Sequence, residues 1–68
     1  MRRFKLCRLQ DETGVSGTGH VAEGVELTNG RAVLSWLTDV ASVALYDSID
    51  DLEYIHGHHG KTVIQWLD

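Results

Sequence analysis

The chain lacks most of what staples or anchors a small protein. Its 68 residues include a single cysteine, Cys7, so no disulfide can close within the chain. A lone thiol suits a reducing compartment. No stretch is apolar for long enough to cross a bilayer, so no membrane partner is expected. The opening residues, MRRFKLCRLQDE, lack a sustained apolar run, so no signal peptide is expected and the chain is read as cytoplasmic. Positive charge is scarce. Six Lys and Arg against ten Asp and Glu leave a net charge of −4, which argues against general nucleic-acid binding. Signatures of catalysis are missing as well. Ser, His and acidic side chains occur, but no nucleophile elbow or paired-carboxylate site accompanies them, so the chain is read as a non-enzyme.

Length sets a further limit. Residues 1–68 are read as one domain. A domain of this size buries only roughly 60% of its unfolded surface. Ordering costs on the order of 1.5 kcal/mol per residue, which nearly cancels what burial contributes. With no internal disulfide, association into a homodimer or larger assembly is the expected source of extra core.

The clearest positive signal is the stretch VAEGVELTNGRAVLSWL, Val21 to Leu37. Asn29-Gly30 predicts a two-residue type I′ turn, since both residues tolerate positive φ. That turn sets a register in which Leu27 faces Ala32, Val25 faces Leu34, Gly24 faces Ser35 and Glu23 faces Trp36. Alternation then places Val21, Glu23, Val25, Leu27, Ala32, Leu34 and Trp36 on the core face. Glu23 is the odd member of that set. Its stem would pack on the indole of Trp36, or its carboxylate would stand at the rim of a pocket. Gly24 inside a strand marks a bulge or a close approach.

The rest of the chain is read around the hairpin. Phe4 to Leu9 is a first strand, with a bulge near Cys7 because the apolar face switches there. Cys7 is read as a small hydrophobe, not a nucleophile. Gln10 to His20, QDETGVSGTGH, is a long polar loop. Its glycines Gly14, Gly17 and Gly19 admit positive φ, and successive N–H groups in such loops form anion-binding nests. A strand follows where a P-loop or a dinucleotide fingerprint needs a helix, so the segment is either a connector or a binding loop. Ser42 to Tyr46 is the fourth strand. Ser48 is an N-cap with Asp51 in the capping-box position, and Ile49, Leu52 and Ile55 form the apolar stripe of a two-turn helix. Gly57 is expected at C′. Thr62 to Leu67 alternates with both faces partly apolar, which fits a central strand or a subunit contact.

Two charge groupings stand out. Arg2, Arg3, Lys5 and Arg8 hold four of the six basic residues, and Asp47, Asp50, Asp51 and Glu53 form an acidic counterpart. Such groups are ordinarily solvated faces; the alternative is a basic edge that meets an anion or an acidic partner surface. His56, His58 and His59 lie within four positions. In extended chain His58 and His59 point opposite ways, and two converging imidazoles are not a zinc site, so no metal and no cofactor are expected. The cluster is read as imidazoles at a helix C-terminus or as ligand contacts.

Read together, GVSGTG, VAEGVELTNG, LSWL, SVALYDS, IHGHHG and TVIQW resemble a group of very small proteins found in phages and prophage-bearing bacteria, over about Phe4 to Trp66. The resemblance carries no functional residue over. It implies a protein that binds and disables a host component, either a protein or a nucleotide immune signal.

The expected fold is mainly β: a small five-stranded antiparallel sheet or SH3-like barrel, with one short helix before the last strand. The expected function is non-enzymatic sequestration of a small anionic ligand such as a signalling nucleotide. Ser16, Gly17, Thr18, Gly19 and His20 would supply loop donors, with Glu23 at the rim. His56, His58 and His59 with Arg31 or Lys61 would neutralise charge, and Trp36 or Tyr46 would stack a base. The rival is a module that binds and inhibits a host protein. A small nucleic-acid-binding barrel ranks below both.

Overall fold

The computed structural model describes residues 1–9, 19–57 and 60–68. The alternating run Arg2–Arg8 forms strand β1, with Phe4, Leu6 and Arg8 turned inward. Gly19–Glu26 forms β2, Ala32–Trp36 β3 and Val43–Tyr46 β4. Helix α1 spans Ile49–His56, and Thr62–Trp66 forms β5. The strands pair antiparallel in the order β4-β3-β2-β1-β5. Since β4 and β5 are the two edges, the sheet is open; the sheet alternative stands and the closed barrel does not. The same order makes β5 an edge strand, so its two-sided apolar pattern is not that of a central strand.

The hairpin turn has one residue more than expected. The Leu27 N–H donates to the Arg31 carbonyl at 2.7 Å, and the Gly30 N–H donates to the Leu27 carbonyl at 2.9 Å. Gly30 has φ +90°. This is a three-residue loop, Thr28-Asn29-Gly30, with glycine in the left-handed position of a G1 bulge. The Asn29 side-chain oxygen accepts from the Arg31 N–H at 3.0 Å. One extra loop residue shifts the register by one: Glu26 faces Ala32, Val25 faces Val33, Gly24 faces Leu34, Glu23 faces Ser35 and Ala22 faces Trp36. A one-residue slip exchanges the two faces of a strand. The expected inward set therefore holds for Ala32, Leu34 and Trp36 but not for Glu23 and Val25. Those two lie on the opposite face, and Ala22 and Gly24 take the inner side of β2.

The bulge falls where the first strand predicts it, but in the neighbouring strand. The β1–β2 register shifts between Leu6 and Cys7, where Leu6 faces Ala22 and Cys7 faces His20. Val21 is the extra residue, and both Val21 and Ala22 are buried. β1 itself never changes face, so Cys7 points away from the core, half-buried, and Arg8 points into it.

The core comprises Phe4, Leu6, Val21, Ala22, Ala32, Leu34 and Leu52, flanked by Trp36, Tyr46, Ile49, Ile64 and Trp66. Ser48 caps α1 as expected, its hydroxyl accepting the Asp51 N–H at 3.1 Å. The buried stripe of the helix differs from the sequence reading. Ile49, Leu52 and His56 face the sheet, whereas Ile55 is exposed. Gly57 is the C-cap, but in right-handed helical backbone; the left-handed glycine of this connection is Gly60, φ +87°.

Candidate functional site

β1 ends, and β2 and β5 begin, at one end of the sheet. Arg8 pairs with Gly19 on one side and with Thr62 on the other. The Leu9 N–H donates to the Lys61 carbonyl at 2.7 Å, and the Thr62 N–H donates to the Gly57 carbonyl at 3.0 Å. The flanks of segment 10–18 and of segment 58–59 therefore share this end. Ser16, Gly17, Thr18, His58 and His59, with Gly14 of the expected nest, lie outside the described residues. Gly19 opens β2 at φ +88° with open space where a side chain would stand, as the loop reading expects. His20 is exposed, its Nε2 3.3 Å from Oε1 of Gln65.

A second group forms where α1 lies on the sheet. The Tyr46 hydroxyl and the His56 Nε2 are 2.6 Å apart, and their hydrogen bond takes its direction from the imidazole tautomer. The His56 ring meets Trp36 edge-on at 5.1 Å and Tyr46 at 5.6 Å. Burial pushes the Tyr46 phenol above its ordinary pKa, so it keeps its proton further into alkali. Three residues named from different parts of the sequence, Trp36, Tyr46 and His56, thus become one half-buried aromatic cluster.

The remaining expected contacts are placed elsewhere. Glu23 is exposed on the sheet face away from α1, opposite Lys5 and Ser35, and does not touch Trp36. Arg31 stands beyond the far end of β2 from Gly19, about 23 Å along the strand. There its Nε lies 3.9 Å from Asp47, at a hollow of about 380 Å³ that Asn29, Leu45 and Tyr46 also line. Nor do the basic residues of β1 form an edge, since β1 lies inside the sheet. Arg2 covers the Trp66 ring at 3.9 Å, and Arg3 holds Asp68 through paired bonds of 2.8 and 2.9 Å.

Sequence reasoning misses two residues at the β1–β5 end. Arg8 is 7% exposed and Thr62 is 4% exposed. Neither Nε of Arg8 nor Oγ1 of Thr62 has a hydrogen-bond partner among the described residues. The apparent face switch after Cys7 hid Arg8, because a bulge in β1 would have turned it to solvent. The available signal was the β1 alternation itself: continued without a bulge, Phe4 and Leu6 put Arg8 inside.

The whole chain, residues 1–68, matches the family model described as Acb5 phage protein. The chain belongs to the Acb5 phage protein family. No curated protein and no solved structure matches it. Acb5 membership agrees with the resemblance to very small phage proteins drawn from the sequence strings. No helix among the described residues of this Acb5 chain is long and apolar enough to cross a membrane.

Proposed function

We propose that this phage protein binds a small anionic ligand, such as a signalling nucleotide, and withholds it from the host defence that uses it, in the host cytoplasm and without chemical turnover. The family name suggests a phage anti-CBASS-type protein, which is consistent with nucleotide sequestration. The observation that carries the reading is a coincidence of place. The flanks of the Gly-rich segment and of the histidine segment meet at one end of the sheet, through the Leu9–Lys61 bond. The half-buried cluster of Trp36, Tyr46 and His56 forms where the last residue of α1, the helix that leads to that end, meets the sheet. Basic and N–H donors beside flat rings are the groups that recognise a nucleotide.

The test is calorimetry of the full chain against a panel of cyclic and linear nucleotides, followed by denaturation and chromatography of the recovered ligand. Saturable heat with the nucleotide returned intact is the expected result. A nucleotide returned cleaved would replace retention with turnover, and would point to the Tyr46–His56 pair as the place to look for proton transfer. Silence across the panel, together with a host protein recovered by pull-down, would favour the protein-binding rival.

A further inference from the structure

Arg8 is a buried cation whose guanidinium Nε has no partner among the described residues, and Thr62, directly across the β1–β5 pair, buries a hydroxyl in the same condition. Removing a charge from water is expensive unless an opposite charge or a full set of hydrogen bonds replaces the lost hydration. Leaving one buried polar atom unpaired is uncommon; two on facing residues of one strand pair call for a common cause. The nearby end of α1 does not supply it. The Gly57 carbonyl already accepts from Gly60 and Thr62, and the Glu53 carbonyl accepts from Gly57. The ion pairs Arg3–Asp68 and Arg31–Asp47 lie elsewhere on the molecule. A water molecule would satisfy hydrogen bonds but not the charge.

We infer that Arg8 and Thr62 form an oxyanion site, with the Arg8 Nε–H and the Thr62 hydroxyl donating to one phosphoryl group of the ligand. The choice of phosphoryl among oxyanions rests on the nucleotide reading above. The strand pairing supplies the preorganisation: Arg8 and Thr62 face each other in register, and both side chains lie on the helix-covered side of the sheet. Gly19, on the other flank of Arg8, adds no side chain to the space around the site. Guanidinium and hydroxyl donors offered to an anion away from water make strong, charge-assisted bonds. In the ligand-free protein the same two groups are a source of instability, which a bound anion would remove.

The experiment is thermal unfolding of the full chain, read by tryptophan fluorescence, in inorganic phosphate or in chloride at equal ionic strength. Phosphate should raise the wild-type midpoint in a concentration-dependent way. Arg8→Met should unfold in chloride at the same temperature as wild type or higher, and phosphate should not move it. Thr62→Val, nearly the same shape, should weaken the apparent phosphate affinity by roughly tenfold or more. Equal phosphate responses in wild type and Arg8→Met would overturn the site. So would no response in wild type, an unchanged affinity in Thr62→Val, or an Arg8→Met chain that is less stable in chloride or does not fold. Nucleotide calorimetry on the same proteins separates this inference from the reading beneath it. A nucleotide that binds wild type and Arg8→Met equally overturns the site and leaves retention standing. An Arg8-dependent phosphate response with no nucleotide bound supports the site and overturns nucleotide retention.

Discussion

Gly24 shows how one missing side chain organises its neighbours. It pairs with Phe4 on one side and Leu34 on the other, and both of these are fully buried. A Cβ at Gly24 would run into the Val33 carbonyl oxygen and the Phe4 ring. The close approach that a strand glycine suggests is therefore real, and the ring of Phe4 occupies it. Gly24→Ala should destabilise the fold by about 1–3 kcal/mol through overpacking, measured by urea unfolding. Arg3 and Asp68 allow a different residue-scale test. The Arg3 guanidinium and N–H hold the Asp68 carboxyl well below the usual carboxylate range. A carboxyl depressed in the folded state stabilises above its unfolded pKa, about 3.9, and loses that contribution as pH falls through the folded value. The stability difference between wild type and Asp68→Asn should be present at pH 7, shrink below about pH 4 and vanish in stronger acid. A pH-independent difference in urea midpoints would refute this account.

At the scale of elements, α1 is held by its cap and by one narrow face. Eight residues are too few for a helix to persist alone in water, so its helicity depends on docking. Leu52 is fully buried beneath it, while Ile55, one turn on, is 55% exposed. Leu52→Ala should cost about 2–5 kcal/mol, whereas Ile55→Ala should stay within about 0.5 kcal/mol, both by chemical denaturation. The sequence stripe put these two residues together. The structure separates them because His56, not Ile55, meets Trp36 and Tyr46. Hydropathy alone ranks isoleucine above histidine for the inner face. The deciding factor is a hydrogen-bonding partner: Tyr46 supplies one at 2.6 Å, so the imidazole can be half-buried at low cost. Ser48→Ala should remove the cap and about 1 kcal/mol with it.

Considered as a whole molecule, the sheet is covered by α1 on one side. The other side carries Val25, Val33, Val43, Leu45, Val63 and Leu67, of which Leu45 is 76% and Val43 65% exposed. A chain of this length with no internal disulfide gains from burying such a face, and the expectation of a homo-oligomer belongs here. Light scattering at tens of micromolar should give at least twice the 7.6 kDa mass of one chain. Leu45→Lys should then lower that mass toward one chain, and a monomeric wild type would end the proposal.

Local signals in the chain were enough to specify five strands, their antiparallel connection, the short capped helix and a turn at Asn29-Gly30, because alternation, capping and turn chemistry act between residues close in sequence. They were not enough to count the turn at two or three residues, nor to say which of β1 and β2 carries the bulge. Those choices decide whether Val25 or Gly24, and whether Arg8 or its neighbour, points inward. They were made between strands: the Phe4 ring fits over a residue without a side chain, and only the register that places Gly24 opposite Phe4 and Leu34 leaves it that room. The placement of Arg8 and Thr62 as buried, facing donors follows from the same packing, since a pairing partner far along the chain sets the surroundings of each.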